Sequence, residues 1–242
     1  MSFSCSAAID IGNTRAKIGI FSEQQLLKSF TDIREEQIQE LLHEYGVVKV
    51  IISNVNRSAT GDEVISRMGD FQLINFDHLT KLPIKVNYYT PNTLGVDRLA
   101  AAVGACFLYP EQNSLSIDCG SCITYDLLAQ GKTFQGGAIS PGIQMKLKAL
   151  HNFTARLPLI ENKNDVEIIG KSTEQSILSG VVNGTVAEME GMIQNYKNSF
   201  TDLKVVLCGG DALFFDSKIK GANFVVEDLV LIGLNQVLLY NV

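Results

Sequence analysis

The chain has 242 residues, a formal net charge of −6 and a pI near 5.1, with 46% hydrophobic and 19% charged residues. This composition is typical of a globular protein, and an acidic chain without a Lys/Arg cluster argues against a nucleic-acid surface. No apolar run approaches the roughly 20 residues that span a bilayer, and no signal-peptide pattern opens the chain, so we expect no membrane partner. Five cysteines, most of them in apolar runs, predict reduced thiols and a cytoplasmic location.

The N-terminal part of the sequence predicts strands first and helices later. Residues 6–30 alternate apolar and polar positions and predict a hairpin or a three-stranded meander. The next segment has an acidic first turn, helical apolar spacing and a terminal glycine, which predict a helix over 32–46. A strand at 47–53, a short helix at 62–68 and a strand at 71–76 follow. The order β-β-β-α-β-α-β is typical of one actin-like half-domain.

The C-terminal part predicts a similar set of elements. A polar, extended connector (80–90) and an Ala-rich helix (97–108) precede a second hairpin that begins at Ser114. The capping-box pattern Ser172–Gln175 predicts a long helix over 173–198. A strand (204–207), a Gly-Gly-Asp-Ala turn (209–212) and a final helix (229–239) complete the chain. We therefore predict an α/β fold of two duplicated, actin-like (ribonuclease H-like) half-domains, with mixed sheets flanked by helices and an interdomain cleft. The predicted halves are residues 1–112 and 113–242.

The two predicted hairpins carry nearly the same motif, 108 positions apart. Each is an apolar strand that ends in an aspartate, Asp10 or Asp118, followed by a glycine turn with small polar side chains. Glycine lets backbone N–H groups approach an anion closely, and an aspartate can hold a cation. The repeat therefore favours two phosphate- or metal-binding turns over two ordinary β-turns, although Asp and Asn also satisfy their own backbone in such turns.

The segment Tyr88–Arg98 leads directly into the Ala-rich helix and is the second candidate for chemistry. Asp97 and Arg98 fall in the first helical turn. An aspartate there can simply complement the helix dipole, beside a surface arginine. In the functional interpretation, Asp97 accepts a proton from a substrate hydroxyl and Arg98 binds a carboxylate through two hydrogen bonds.

Other motifs are weaker candidates for catalytic or binding sites. Cys119-Gly-Ser-Cys122 has redox or zinc spacing, but it lacks a second ligand pair and precedes a predicted strand, so a tight turn is the better interpretation. Gly170-Lys171-Ser172-Thr173 resembles the end of a P-loop but lacks the required earlier glycine. The glycine-rich stretch 136–142 predicts a turn where the backbone approaches a ligand or the other domain. An adenine or ribose could lie against Gly209 and Gly210.

Taken in order, these segments resemble the type III pantothenate kinases of the acetate and sugar kinase/Hsp70/actin superfamily. The resemblance runs from about residue 7 to residue 234. It rests on these motifs: D-x-G-N-T-x-x-K at 10–17, Y-x-x-P-x-x-L-G-x-D-R at 88–98, D-x-G at 118–120, G-G-x-I-x-P-G at 136–142, T-x-x-L-P at 154–158, the Thr173 segment and G-G-D-A at 209–212.

The resemblance implies ATP-dependent phosphorylation of pantothenate, the first step of coenzyme A biosynthesis. It implies that Asp97 is the catalytic base and that Asp118 binds a monovalent cation, K⁺ or NH₄⁺. Asp10 is expected to face Mg²⁺ through water. Implied pantothenate contacts are Tyr88, Gly95, Val96, Asp97, Arg98 and Thr173. Implied ATP contacts are Asp10, Ile11, Gly12, Asn13, Thr14, Arg15, Ala16, Lys17 and Ser121. Members of the family are homodimers with the pantothenate site at the subunit interface.

Two alternatives stay open at this point. One is a kinase of the same superfamily for another small hydroxylated substrate, which need not have the Tyr88–Arg98 segment. The other is a non-catalytic, ATP-binding regulator on the same fold, which is expected to lose Asp97 or the phosphate-binding hydroxyls. The chain departs from the family pattern at Cys122, where alanine is usual, and at Ile232, where relatives often have glutamate.

Overall fold

The computed structural model describes residues 5–12, 16–54, 71–222 and 224–242. Its strands form two sheets. The strand bounds are β1 Cys5–Ile11, β2 Ala16–Ser22, β3 Gln25–Thr31, β4 Val47–Asn54, β5 Gln72–Phe76, β6 Lys85–Val86, β7 Ser114–Cys119, β8 Cys122–Ala129, β9 Thr133–Pro141, β10 Lys204–Cys208 and β11 Phe224–Val225. The helix bounds are α1 Glu35–Glu44, α2 Val96–Leu108, α3 Ile143–Asn152, α4 Thr173–Leu178, α5 Gly184–Ser199, α6 Ala212–Asp216 and α7 Leu229–Asn241.

The first sheet has five strands in the order β3-β2-β1-β4-β5. β1 pairs antiparallel with β2 and parallel with β4, and β2 pairs antiparallel with β3. This arrangement confirms the predicted meander and the strands that follow it. The short helix predicted at 62–68 lies outside the described residues.

Both faces of the first sheet are buried, which explains why its central strands are almost continuously apolar. Along β1, Ala7 and Ile9 pack in a cluster with α1, whereas Ala8 packs in a cluster with α2 and α7. Asn235 of α7 is buried, accepts a hydrogen bond from Ser6 Oγ at 2.8 Å and donates to the carbonyl of Glu23 at 2.8 Å. These two bonds orient α7 on the sheet.

The second sheet has six strands in the order β11-β10-β7-β8-β9-β6. β10 pairs parallel with β11, and β6 pairs parallel with the first two residues of β9. With its helices, this sheet confirms the predicted class, a mixed α/β fold with two mixed sheets flanked by helices. One local prediction is wrong: Gly136 and Gly137 lie inside strand β9 rather than in a turn. Gly136 has a φ of 88°, which glycine adopts readily, and the strand continues past both glycines to Pro141.

The predicted long helix over 173–198 is helical but interrupted. Ser172 Oγ caps α4 by accepting a hydrogen bond from Gln175 N at 3.2 Å, as the capping pattern predicts. A π-helical turn at Ser179–Asn183 then separates α4 from α5. Side chains stabilise this turn: Ser179 Oγ donates to the carbonyl of Ile168 at 2.7 Å, and Thr185 Oγ1 donates to the carbonyl of Val181 at 2.6 Å.

The described fold divides into two compact units. Unit 1 comprises Met1–Ser114, Asp126–Gly136 and Asp228–Val242, and unit 2 comprises Leu115–Tyr125 and Gly137–Glu227. Unit 1 includes α7 because this helix packs against α2 and the first sheet. The half-domains proposed at 1–112 and 113–242, and the cleft between them, stay predictions. Within the described ranges, no helix is long and apolar enough to cross a membrane.

Candidate active site

The first hairpin places Asp10 and Lys17 directly opposite each other. Asp10 lies near the end of β1, and the antiparallel register pairs it with Lys17 near the start of β2. Cross-strand partners project from the same face of a sheet, so the two side chains start from neighbouring positions on one face. Ile11, Gly12 and Ala16 belong to the same hairpin. Asn13, Thr14 and Arg15, which are predicted ATP contacts, lie outside the described residues.

Asp97 lies in the first turn of α2, where the structure holds its carboxylate in one position. Asp97 Oδ1 accepts a hydrogen bond from the Arg98 backbone N–H at 2.8 Å. Gly95, the residue before the helix, lies so close that an added Cβ would collide with Asp97 Oδ1. Gly95 was predicted as a substrate contact, and the structure shows that it also provides the space that the Asp97 carboxylate occupies.

Burial raises the pKa of the Asp97 carboxyl above its ordinary value of 3.8, although the Arg98 N–H and the Arg98 charge oppose the increase. A carboxylate with a raised pKa is a better proton acceptor than an ordinary surface aspartate. Groups perturbed in this way by burial and a specific neighbour are concentrated at active sites. The position of Asp97 therefore fits general-base chemistry better than simple complementation of the helix dipole.

Arg98 is buried and pairs with Asp126 of β8, a residue that the sequence analysis did not identify. Arg98 Nε donates to Asp126 Oδ1 at 2.8 Å, and Arg98 Nη2 lies 2.6 Å from the same oxygen. Burial alone would lower the pKa of the Arg98 guanidinium, but the Asp126 carboxylate and Tyr88 raise it. Nε is therefore hydrogen-bonded to a protein carboxylate, whereas Nη2 pairs with it by charge and has no hydrogen-bond partner within the described residues. Any substrate carboxylate must bind to donors other than Nε.

Tyr88 and Phe134 enclose the other side of this guanidinium. The rings of Tyr88 and Phe134 lie 6.1 Å apart, and Arg98 Cζ lies 5.9 Å from the centre of the Phe134 ring. Gly136, with φ of 88°, follows on the same strand, and an added Cβ there would contact the Tyr88 ring at 3.4 Å. Tyr88 is thus held between an aromatic ring and a glycine, next to Arg98.

The second hairpin positions Asp118 against the Gly-Gly-Asp turn that follows β10. Gly209, with φ of 86°, lies so close that an added Cβ would collide with Asp118 Oδ1. The Asp211 backbone N–H donates to the carbonyl of Cys119 at 2.8 Å, which joins the turn to β7. Gly210 is exposed, with nothing described within 4 Å of its Cβ position, so a ligand can approach the backbone there.

Gly142 explains why the glycine-rich segment is needed. Its backbone N–H donates to the carbonyl of Ser121 at 3.0 Å, and an added Cβ would collide with the carbonyl of Gly120. The backbone here approaches the second hairpin itself. Ser121 remains exposed at the tip of that hairpin, and α3 begins immediately after Gly142.

The same region has a half-buried polar cluster that the sequence analysis missed. Lys146 Nζ of α3 donates to Glu188 Oε2 at 2.7 Å and to Thr185 Oγ1 at 2.9 Å. Burial would raise the pKa of Glu188, but hydrogen bonds from Lys146 and Ser140 hold it below its ordinary value. Since these residues lie on β9, α3 and α5, the cluster joins the strand and the helices of unit 2. Its members are too far apart in sequence to form a recognisable motif.

The thiols of the Cys119–Cys122 segment are free, in agreement with the interpretation as a turn. Burial and the charges of Asp118 and Asp211 raise the pKa of the Cys119 thiol. Since the thiolate is the reactive form, this environment disfavours redox chemistry.

Thr173 is exposed at the start of α4 and lines a cavity of about 660 Å³ in unit 2. The cavity is lined by the turn before α4 together with two leucines. Its lining includes Leu150, Leu157, Gly170, Lys171, Ser172 and Thr173. Each unit thus assembles its own set of predicted residues: unit 1 holds Asp10, Lys17 and the Tyr88–Arg98 segment, and unit 2 holds Asp118, Ser121 and Thr173.

Comparisons with known proteins identify the family of the chain. A family model described as type III pantothenate kinase matches residues 7–195. The type III pantothenate kinase of Cytophaga hutchinsonii is 43% identical over 234 residues, which cover 97% of this chain and 98% of that protein. That of Christiangramia forsetii is 39% identical over 236 residues, which cover 96% and 97%.

A solved structure has a similar fold at low sequence identity. A Campylobacter jejuni protein described as a Baf family transcriptional activator superposes with a TM-score of 0.65 at 24% identity, covering 97% of this chain and 98% of that one. This likeness shows the fold, whereas the family model and the full-length relatives show the family. The chain therefore belongs to the type III pantothenate kinase family.

Proposed function

We propose that the chain transfers the γ-phosphoryl group of ATP to pantothenate, forming 4′-phosphopantothenate and ADP, the first step of coenzyme A biosynthesis. Family membership supports the reaction and both substrates. The observation that carries the assignment of the site is the Asp97 carboxylate, which has a raised pKa and is held by the Arg98 N–H next to Gly95.

Phosphoryl transfer passes through a loose transition state, so positioning and charge neutralisation supply most of the catalysis. Asp97 Oδ1 is occupied by the Arg98 N–H, and we assign the other oxygen to the pantothenate hydroxyl. Asp97 orients this hydroxyl and takes its proton late, as the bond to phosphorus develops. The O–H bond breaks, the hydroxyl oxygen bonds to the γ-phosphorus, and ADP leaves with the electrons of the broken P–O bond.

The other roles are proposed residue by residue. Residues proposed to bind pantothenate are Tyr88, Gly95, Val96, Arg98 and Thr173. Residues proposed to bind ATP are Asp10, Ile11, Gly12, Asn13, Thr14, Arg15, Ala16, Lys17 and Ser121. Lys17 supports this assignment because it is the cross-strand partner of Asp10 in the first hairpin.

Two cations are proposed to assist phosphoryl transfer. Mg²⁺ typically binds one or two carboxylates together with substrate phosphates, and Asp10 at the end of β1 fits that pattern through a water. When bound, Mg²⁺ neutralises charge on the phosphates. For a monovalent cation, K⁺ or NH₄⁺, we propose Asp118, whose Oδ1 lies close to the backbone of Gly209.

The cation assignment predicts a selective salt effect. Activity is expected to rise with KCl and not with equal concentrations of NaCl, because a site fitted to a large cation holds Na⁺ poorly. In Asp118→Asn the difference between the two salts is expected to disappear, since the amide removes the anionic ligand. The measurement is the initial rate at constant ionic strength, with Asp216→Asn, an exposed aspartate of the same unit, as the matched control. Equal rates in KCl and NaCl for the parent protein contradict the role of Asp118.

We also propose a cytoplasmic homodimer with the pantothenate site at the subunit interface. The five free thiols suit a reducing compartment. Unit 2, which carries Thr173, exposes several large apolar side chains, as expected of a surface covered by a second copy. These side chains are Ile139, Met145, Phe153, Leu159, Ile168 and Ile169. Sedimentation velocity tests the proposal, and a monomer at micromolar concentration contradicts it.

The most direct test of the function is an ADP-release assay with ATP and a panel of acceptors. Pantothenate is expected to support turnover, whereas sugars and short hydroxy acids are expected to leave ADP release at its background rate. Turnover with a sugar and not with pantothenate contradicts the proposed substrate. Absence of turnover with every acceptor favours a non-catalytic regulator.

A further inference from the structure

Asp126 is a charged residue in the buried part of strand β8. It lies between Tyr125 and Leu127, which are both buried, and is itself only 1% exposed. An aspartate is almost never fully buried unless it is paired. A carboxylate at this place in the core therefore indicates a requirement for its charge.

The partner of Asp126 is Arg98, and stability does not explain why the pair is present. Both side chains are buried, at 1% and 7% exposure, and both Arg98 contacts reach the same oxygen, Oδ1, at 2.6 and 2.8 Å. Replacing a buried ion pair by apolar residues of similar volume is often neutral or stabilising. The contribution of the pair to stability is therefore not a sufficient reason for burying two charges here.

The pair does restrict the guanidinium of Arg98. Asp126 Oδ1 accepts a hydrogen bond from Nε at 2.8 Å and lies 2.6 Å from Nη2, and Arg98 Cζ lies 5.9 Å from the centre of the Phe134 ring, so these contacts limit rotation of the guanidinium. Tyr88 also interacts with the guanidinium. The orientation in which Arg98 presents its remaining N–H groups is therefore restricted, and the buried Nη2 has no hydrogen-bond partner within the described residues. Such restriction reduces the entropy that is lost when a substrate group binds.

We propose that Asp126 is a positioning residue for the pantothenate site, which fixes the Arg98 guanidinium and, through it, Tyr88. Asp126 itself does not touch the substrate. This inference rests on the proposed roles of Arg98 and Tyr88 in binding pantothenate. In this proposal the orientation of the Arg98 guanidinium depends on a residue of β8 that lies 28 positions from Arg98 in the sequence.

The test compares Michaelis constants for the two substrates in two variants. Asp126→Asn keeps the shape of the side chain and removes its charge, and Asp126→Glu keeps the charge and moves it by one methylene. In either variant the KM for pantothenate is expected to rise at least tenfold, whereas the KM for ATP stays within about twofold. Asp126→Glu still provides a carboxylate for the buried Arg98. It can therefore be measured even if Asp126→Asn does not fold. Glu111→Gln is the matched control, since it removes the acid of an exposed ion pair, at 3.7 Å from Lys132, in the same unit.

A double-mutant cycle separates positioning from a general structural role. If Asp126 acts through Arg98, then Asp126→Asn is expected to change the KM for pantothenate by less than twofold in an Arg98→Lys background. An unchanged KM for pantothenate in both single variants, or an equal effect in the Arg98→Lys background, overturns the proposal. If the parent protein itself fails to use pantothenate, the proposed function is wrong. Normal turnover by the parent with unaffected Asp126 variants rejects only the role of Asp126.

Discussion

Replacing Asp97 by asparagine is expected to lower kcat by about 10²- to 10⁴-fold, the range typical of the loss of a general base. The amide keeps the oxygen that accepts the Arg98 N–H at 2.8 Å, so the first turn of α2 keeps its geometry. ATP affinity is expected to be unchanged because the proposed ATP contacts lie elsewhere. Steady-state ADP release and ATP titration measure the two quantities. Near-normal turnover in this variant removes Asp97 from the mechanism.

The raised pKa of Asp97 adds a prediction about stability. Because the folded state holds the Asp97 proton to higher pH than the unfolded chain does, the folded state loses stability as the pH rises through that interval. At neutral pH the ionised, half-buried carboxylate of Asp97 therefore lowers the stability of the folded state, and a neutral amide in its place does not. We expect the melting temperature of Asp97→Asn at pH 7 to equal or exceed that of the parent.

Two further measurements check this explanation. The acid limb of kcat/KM for the parent is expected to lie above the pH at which an ordinary aspartate titrates, since the rate follows the ionised form of Asp97. Asp77→Asn is the matched control: Asp77 is an exposed aspartate of the same unit, and hydrogen bonds hold its pKa below its ordinary value. Its variant is expected to keep normal turnover and to gain no stability. A lower melting temperature for Asp97→Asn than for this control contradicts the account of the buried charge.

Gly233→Ala is expected to lower the free energy of unfolding by about 3 kcal/mol, near the upper end of the usual cost of overpacking. Gly233 lies on α7 where this helix crosses α2, and an added Cβ would collide with the carbonyl of Ala100 and lie 2.8 Å from the backbone nitrogen of Gly104. Backbone atoms in the middle of a helix cannot move aside as a flexible side chain can. In a chain of this length the melting temperature is expected to fall by about 6–12 °C.

The control is an alanine where a glycine has free space around it. Gly191 is exposed in the middle of α5, and nothing described lies within 4 Å of its Cβ position. Gly191→Ala is expected to stabilise the protein by about 0.5–1 kcal/mol, because alanine is the better helix former. Thermal unfolding of both variants measures the contrast. Similar melting temperatures for the two would show that the helices α2 and α7 can separate without cost.

Features of this protein that depend on adjacent residues are predictable from its sequence. The family, the mixed α/β class, the meander and the Ala-rich helix that carries Asp97 are confirmed, because each depends on a local pattern or a contiguous motif. The interpretation of 136–142 as a turn is wrong, since a glycine in a strand and a glycine in a turn look alike in a single sequence. The role of each site residue stays a prediction.

Residues from distant segments account for what the sequence analysis missed. Arg98 was expected to bind a substrate carboxylate, but whether its donors were available depended on Asp126, which lies in an apolar run of β8. The sequence predicts Gly95 as a substrate contact but does not show that a side chain there would collide with the Asp97 carboxylate. Neither the Arg98–Asp126 pair nor the contact between Gly95 and the Asp97 carboxylate produces a sequence motif with a fixed spacing.

The amino-acid sequence by itself determines which chemical groups this protein has and the order in which they occur: two Asp-Gly hairpins and, between them, an aspartate and an arginine at the start of a helix. Those groups suffice to identify the family. Only the tertiary structure decides how the groups behave. Burial raises the pKa of Asp97, and Asp126, 28 residues from Arg98, restricts the arginine. A pKa and an orientation depend on solvent exclusion and on neighbours that the fold brings from elsewhere in the chain.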